Sequence, residues 1–315
     1  TETYREVIER RKRCAELRHK IAYGEITTIN DFITYNLNIR QFAQDLLEEI
    51  DDPDFIRHFY RVLCKITILD PTCGSGAFLF AALNILEPLY EACLLRMRAY
   101  IEDEDRANTS TTLSTSTAEK KTFGHKYKFF RETLATVQNE HHPNQAYFIY
   151  KSIILNNLYG VDIMKEAVEI AKLRLFLKLV ATVDVDYRKP NLGLEPLPDV
   201  DFNIRAGNTL VGYATEEQLK KSFVSKGKID FDKDMGKIEE QCDIVARAFT
   251  RYKEIQLAGN VDFKDFKDAK DELNVRLQKL TLQLDLLLHK QHYSSIKFDD
   301  WLATHQPFHW FAEFY

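Results

Sequence analysis

The sequence predicts an α/β protein in which helices alternate with the short strands of one parallel sheet. Three short apolar runs, within 66–70, 157–163 and 201–210, each end at a polar residue and read as strands. Strand–helix units in succession are typical of parallel sheets that are covered by helices. The chain has 315 residues, of which 45% are hydrophobic and 29% charged, and this composition is that of a globular protein with one large core.

Charge and cysteine usage exclude some classes of function. A net charge of −5 argues against a surface that grips nucleic acid as a whole, although it does not exclude a local basic groove. The five cysteines are scattered without a CxxC pair, which predicts a reducing cytoplasm and no metal site. No apolar run approaches the length of a membrane span, so we expect no membrane association.

Helical patterns fill the residues before the first strand, and 1–64 is predicted to be an N-terminal helical segment. Residues 3–22 are rich in Arg, Lys and Glu. The basic run at 10–13 is a candidate phosphate contact, but a solvated helix face is the commoner meaning of such a run. Asn38 is expected to cap one helix, and Asp52 with Pro53 to start the next.

The predicted α/β core spans 65–213. After its first strand we expect a helix from Ala77 to about Tyr100, with a kink or break at Pro88. A mobile insertion is predicted around 102–122, because this stretch is acidic and then rich in Ser and Thr and would bury little apolar surface.

Residues 214–300 are predicted to form a long antiparallel helical hairpin inserted on the sheet domain. Apolar residues in steps of three and four form two seams, over 238–252 and 273–287, with a turn at 258–260. Two ordinary surface helices packed on the core are the alternative. Residues 301–315, which end in an aromatic stretch, are predicted to be the lead-in to a missing catalytic half.

The most informative stretch lies between the first strand and its helix. A glycine turn lets a ligand approach bare backbone, and the helix N-terminus behind it favours anionic or electron-rich groups. The turn lacks the third glycine of a dinucleotide fingerprint, and the next candidate ribose acid, Asp162, lies far beyond the about 20 residues expected there. No partner base accompanies the thiol of the turn, which disfavours a nucleophile. The stretch reads Asp70, Pro71, Thr72, Cys73, Gly74, Ser75, Gly76, Ala77, Phe78.

Three polar positions are expected to converge at the carboxyl edge of the sheet, namely Asp70 with its turn, Asp162 and Asn208. A carboxylate such as Asp162 is a natural acceptor for a ribose diol, and Asn208 can both donate to and accept from a base edge. Phe78 and Ile163 are apolar neighbours suited to sandwich an adenine ring. A methionyl end, a ribose diol and an adenine are what S-adenosyl-L-methionine presents, so the pattern predicts this cofactor.

The run from Asp70 to Leu79 resembles the first motif of adenine-specific DNA methyltransferases of restriction–modification systems, most closely the type IIG-like and type I modification enzymes. Residues 159–163 with the following helix resemble their second motif, and 207–210 resemble the third. The resemblance covers about residues 60–212. It implies a Rossmann-like fold, S-adenosylmethionine as methyl donor, double-stranded DNA as partner, and an adenine flipped out of the duplex as target.

The chain departs from the family pattern in two places. Asn208 stands where many relatives carry an acid, and the family's catalytic motif [DNS]-P-P-[YFW] is absent, since none of the eight prolines are adjacent. We therefore expect a piece of a larger protein that ends before its catalytic residues, so no catalytic residue is assigned. Such a piece is expected to bind cofactor weakly at most and to transfer no methyl group by itself.

Two other classes of function stay open on the sequence alone. The chain fits a non-catalytic cofactor-binding or interaction module of a multi-subunit defence complex. It also fits a methyltransferase that acts on RNA or protein, because the first three motifs report the methyl donor and not the acceptor. The residues give no basis for a metal site, a nuclease motif or an oligomeric state.

Overall fold

A computed structural model describes residues 3–114, 126–139, 142–183, 186–188, 197–224, 231–258 and 263–314. The chain divides into two compact units, Thr1–Asp51 and Asp52–Tyr315. The described residues are mostly helical and contain one small parallel sheet, which is compatible with part of a methyltransferase fold.

The described residues of the N-terminal unit form α1 (Tyr4–Ala22), α2 (Ile29–Thr34) and α3 (Ile39–Glu49). None of the residues of α1 is buried, and its basic run at 10–13 is exposed. The predicted cap of α3 is confirmed, because the side chain of Asn38 accepts from the third backbone N–H beyond it, at 3.1 Å.

The second unit begins with α4 (Pro53–Leu63). The boundary between the units therefore lies before this helix, whereas the sequence predicted it after residue 64. Asp52 caps α4 by accepting from two backbone N–H groups of its first turn, with Pro53 in the first helical position. The apolar face of α4 packs on the following helix, where the rings of Tyr60 and Tyr90 meet edge to face at 5.8 Å. This contact is why α4 belongs with the second unit.

The strands are β1 (Ile68–Asp70), β2 (Leu158–Asp162) and β3 (Ile204–Ala206), all parallel, in the order β1-β2-β3. Asp70 lies opposite Gly160, and Asp162 lies opposite Ala206. The polar ends of the three strands therefore meet at one edge of the sheet, as predicted.

Behind β1 runs α5 (Ala77–Ser114), which continues through Pro88 and well beyond the predicted end near Tyr100. The prediction of a mobile stretch is wrong for 102–114, which is helical, and 115–122 lie outside the described residues. The acidic side chains of that stretch form ion pairs as well as facing water. Arg131 pairs with Glu104 at 3.0 Å and with Asp105. These ion pairs give the helix a partner that its composition does not reveal.

Within the described residues, one helical stretch, Ala77–Asn108, is long and apolar enough to cross a membrane by length and composition. Charged residues such as Glu87 and Glu91 interrupt its apolar runs, so this stretch was not predicted. Several of its large side chains are nevertheless fully buried in the second unit, and a core helix passes the same test. They are Leu79, Leu83, Tyr90, Cys93, Leu94 and Met97.

Three further helices pack on α5 or on the sheet. They are α6 (Lys128–Val137) and α7 (Gln145–Asn156), which pack on α5, and α8 (Lys165–Val180), which packs on β2 and β3. The predicted end of α8 near Val180 is confirmed.

The remaining described residues form α9 (Glu216–Val224), α10 (Phe231–Ala258), α11 (Phe263–His292), α12 (Phe298–His305) and α13 (Trp310–Glu313). The two predicted seams face each other, since α10 buries Ile238 and Tyr252 and α11 buries Leu273 and Leu284 in one cluster. The predicted turn falls on 258–260, of which 259–260 lie outside the described residues. Phe202 from the approach to β3 shares the cluster, so the long helices share a core with the sheet.

A charged network ties the approach to β3 to the helices around it. Asp201 accepts from Lys172 of α8 at 2.9 Å and from Lys270 of α11 at 2.8 Å. Lys270 also contacts Asp199, which accepts from the hydroxyl of Tyr252 at 2.8 Å. Burial acts to raise the pKa of Asp201, but the hydrogen bonds from Lys270 and Lys172 prevail and hold it at about 2.

Candidate functional site

The turn between β1 and α5 is built by its own backbone. Asp70 Oδ1 accepts from the N–H of Thr72 at 3.1 Å, and the N–H of Gly76 donates to the carbonyl of Cys73 at 2.8 Å. Gly74 and Gly76 have φ angles of 51° and 78°, in the left-handed region that favours glycine. A side chain at Gly76 would also meet the Cβ of a residue of α8 at 3.0 Å. Both glycines are therefore required by the shape of the turn.

Asp162, at the end of β2, supports this turn. Its Oδ2 accepts from the N–H of Gly74 at 2.9 Å, and its Oδ1 accepts from the N–H of Met164 at 2.8 Å. The N–H of Cys73 donates to the carbonyl of Val161 at 2.9 Å. Because each carboxylate oxygen has two lone-pair positions, one position on each oxygen remains for a further donor. The acid predicted to bind a ribose thus also shapes the turn.

The thiol of Cys73 is buried between the turn and β2. A side chain at Gly160 would collide with Cys73 and Leu79, so the turn rests directly on the strand. Burial, with the nearby carboxylates of Asp162 and Asp70, raises the pKa of the Cys73 thiol to about 11. A thiol that stays protonated at neutral pH packs as a small apolar group and is a poor nucleophile.

Arg174 of α8 contacts the turn and was not predicted. Its Nη1 donates to the carbonyl oxygen of Ser75 at 3.0 Å and to the hydroxyl oxygen of Ser75 at 3.2 Å. Its guanidinium lies over the ring of Phe80, 5.5 Å from the centroid. Nothing local marks this residue in the sequence, because its partner lies 99 positions away.

Asn208 follows β3 at the same edge of the sheet. The N–H of Gly207 donates to the carbonyl of Asp162 at 2.9 Å and extends the pairing of β2 with β3. Asn208 Oδ1 accepts from the N–H of Leu210 at 3.1 Å. Since the local turn uses Oδ1, the Nδ2 group of Asn208 is the side of the amide that is available to a ligand.

The segment after α12 holds the loop that carries Asn208. The indole N–H of Trp310 donates to the carbonyl of Thr209 at 3.1 Å. His309 is fully buried, and its Nδ1 accepts from the N–H of Tyr213 at 3.1 Å, so its proton lies on Nε2 and is donated to Asp285 of α11 at 3.0 Å. The position of Asn208 therefore depends on α11 and on residues close to the end of the chain.

Exposed apolar side chains occur within a few positions of these polar groups in the sequence. The two predicted ones, Phe78 and Ile163, are 80% and 50% exposed, and Met164 and Leu210, which were not predicted, are 58% and 92% exposed. Pro71, Thr72 and Ala77 are exposed on the turn itself. Exposed apolar side chains near polar groups are typical of interaction or ligand-binding surfaces. In the part of the chain that the structure describes, no group of three or more His, Cys, Asp and Glu could hold a metal ion.

The sequence that contains these residues matches a known protein family. Residues 46–281 match the family model of the MmeI DNA-methyltransferase domain, which is most of the chain and includes the glycine turn, Asp162 and Asn208. The chain belongs to the MmeI DNA-methyltransferase domain family. All three strands and the greater part of the long helices lie within the matched residues of this MmeI-type domain.

A relative from Methanocaldococcus jannaschii supports the same assignment. It bears the name of a type II restriction enzyme and methyltransferase and is 34% identical over 201 residues, which are 61% of this chain. The MmeI-type domain spans only 13% of the length of that relative. No solved structure matches the chain. The predicted relationship to methyltransferases of restriction–modification systems is confirmed.

Proposed function

We propose that this domain binds S-adenosyl-L-methionine at the carboxyl edge of its sheet. We further propose that it forms the cofactor-binding part of a cytoplasmic, site-specific DNA methyltransferase that modifies N6 of adenine in double-stranded DNA. The observation that carries the proposal is the pairing of a glycine turn, held open by Asp162, with an unpartnered carboxylate oxygen of Asp70.

The methionyl end of the cofactor fits the turn. Asp70 Oδ2 is buried and has no hydrogen-bond partner among the described residues. A buried carboxylate oxygen without a partner is costly, and an ammonium group is the donor that would satisfy it best. The backbone beside it is accessible, because nothing lies within 4 Å of the position that a Cβ on Gly74 would occupy.

The nucleoside end fits the neighbouring strands. The remaining lone pairs of Asp162 suit two ribose hydroxyls, and the Nδ2 group of Asn208 suits a ring nitrogen of adenine. Phe78 and Ile163 offer apolar surfaces to the two faces of the base. When bound, S-adenosylmethionine supplies an electrophilic methyl group on its sulfonium, and these residues bind and orient it.

The acceptor is proposed from the family. The paired prolines that hold a target adenine in the related enzymes are absent from these 315 residues. We therefore propose that the groups that bind the flipped base lie elsewhere in the whole protein, and that this domain contributes the donor.

Calorimetric titration with S-adenosylmethionine tests the donor, and weak binding is expected. The ribose role is tested with 5′-methylthioadenosine and its 2′,3′-dideoxy analogue, on the wild type and on Asp162→Asn. If Asp162 accepts from the ribose, each single change weakens binding about tenfold and the two together cost no more than one alone. Glu166→Gln, at an exposed position of α8, is the control. Additive losses, or no binding by the wild type, would contradict the assignment.

A further inference from the structure

We propose that Arg174 is a positioning residue for the methionyl end of the cofactor, because it holds the glycine turn in its binding conformation. The inference rests on the proposed function, since it concerns the same site. Arg174 lies on α8 and donates to Ser75 in the middle of the turn.

Hydrogen bonds from two side chains outside the turn hold its backbone in place. Its two left-handed residues, Gly74 and Gly76, each adjoin a peptide group that a side chain from outside the turn engages. Asp162 accepts from the N–H of Gly74, and Arg174 donates to the carbonyl of Ser75. The peptide group between Ser75 and Gly76 is then bonded at both ends, because the N–H of Gly76 donates to Cys73.

The guanidinium of Arg174 contacts both Ser75 and the ring of Phe80. One N–H bearing nitrogen of Arg174 serves both oxygens of Ser75, at 3.0 and 3.2 Å, which fixes the side-chain rotamer of the serine as well as its carbonyl. The planar group also lies over the ring of Phe80, so its own orientation is restrained. A lysine at this position could donate to the oxygens of Ser75 but could not reproduce the stacked, planar arrangement.

The contact of Arg174 with the turn affects one part of the proposed ligand, the methionyl group. Glycines sample many backbone conformations, so a turn without Arg174 would have to be ordered at the moment of binding. That cost falls on a ligand group that contacts the turn, and in the proposed site this is the methionyl group. The nucleoside end contacts Asp162 and Asn208, which Arg174 does not touch.

Two ligands separate positioning from general damage. S-Adenosylhomocysteine carries the amino-acid group, whereas 5′-methylthioadenosine lacks it. For Arg174→Met we expect about tenfold weaker binding of S-adenosylhomocysteine and unchanged binding of 5′-methylthioadenosine. Arg174→Lys should recover part of the loss, and Ser75→Ala, which removes one of the two acceptors, should show a smaller loss.

Lys178→Met is the matched control, because Lys178 lies one turn further along α8 and contacts the same ring, that of Phe80, without touching Ser75. It should bind both ligands as the wild type does. Equal losses for both ligands in Arg174→Met, or no loss for either, would overturn the inference while the wild type still binds. Failure of the wild type to bind either ligand would overturn the proposed function and this inference with it. Should Arg174→Met not fold, Arg174→Lys and Ser75→Ala carry the same comparison.

Discussion

The two carboxylates at the sheet edge differ in how their oxygens are used. Both oxygens of Asp162 accept from backbone N–H groups. Removal of this carboxylate would therefore destabilise the turn as well as weaken binding of the proposed ligand. Asp70 uses one oxygen for Thr72 and leaves the other buried without a partner. Asp70 is therefore the residue at which ligand binding can be changed with least effect on the backbone.

Asp70→Asn is expected to weaken binding of S-adenosylhomocysteine about tenfold, because an amide cannot offer a charged acceptor to the ammonium group. The asparagine oxygen can still accept from Thr72, so the turn should keep its shape. Calorimetry measures the affinity, with the exposed Asp299→Asn as control. An unchanged affinity would mean that the ammonium binds elsewhere.

The two glycines of the turn provide a matched pair of substitutions. Gly74→Ala introduces only backbone strain, worth about 1–2 kcal/mol, because nothing lies near its Cβ position. Gly76→Ala adds a contact of 3.0 Å with Ala171 to a similar strain, so its loss of unfolding free energy should be larger. Urea denaturation measures both values. Equal losses would show that α8 moves away from the added methyl group without a loss of unfolding free energy.

At the scale of elements, α10 contributes a half-buried lysine that contacts β2. Lys253 Nζ donates to the hydroxyl of Tyr159 at 3.0 Å and lies over the rings of Tyr159 and Phe249. Desolvation lowers the pKa of Lys253 to about 8. The hydrogen bond joins α10 to β2, but desolvation destabilises the charged form of the lysine.

The sign of the resulting pH dependence follows from the two states. Between pH 8 and about 10.5 the unfolded chain binds more protons at Lys253 than the folded chain, so stability from this group rises with pH in that window. Lys253→Met should therefore raise the unfolding free energy at pH 7 by about 1 kcal/mol, and this gain should shrink as the pH approaches 10. Thermal unfolding at several pH values measures it, with the exposed Lys279→Met as control. A gain that does not depend on pH would exclude titration as its cause.

At the scale of the whole molecule, the proposed donor site and the long helices form one connected structure. His309 links the loop after β3 to Asp285 of α11, and Arg205 of β3 pairs with Glu313 of α13 at 2.9 Å. Residues near position 310 thus help to place Asn208, about 100 positions earlier in the chain. The proposed site therefore depends on residues that are spread over most of the second unit.

Because the paired-proline motif is absent, the 315 residues are expected to transfer no methyl group to DNA even where they bind the donor. Incubation with duplex DNA and S-adenosylmethionine that carries a radioactive methyl group measures this transfer. An adenine-specific DNA methyltransferase that carries the paired-proline motif is the positive control. Transfer by the 315 residues alone would show that catalytic groups lie within them.

Local patterns in the sequence were enough to predict the strand–turn–helix around Asp70, the strand that ends at Asp162 and the apolar seams of α10 and α11. These features depend on neighbouring residues, through side-chain periodicity, helix caps and the conformational freedom of glycine. The family could be predicted for the same reason, since its motifs are short and contiguous.

Only the tertiary structure decided which distant residues complete the site. Arg174 donates to Ser75, Arg131 pairs with Glu104 in the acidic stretch of α5, and the ring of Tyr60 in α4 packs against that of Tyr90. Asn208 depends on contacts from the segment after α12. Each of these contacts joins residues that are far apart in the chain, and no local periodicity or propensity records such a pairing. The sequence alone thus determined the turn and its chemistry, and packing determined what holds the turn in place.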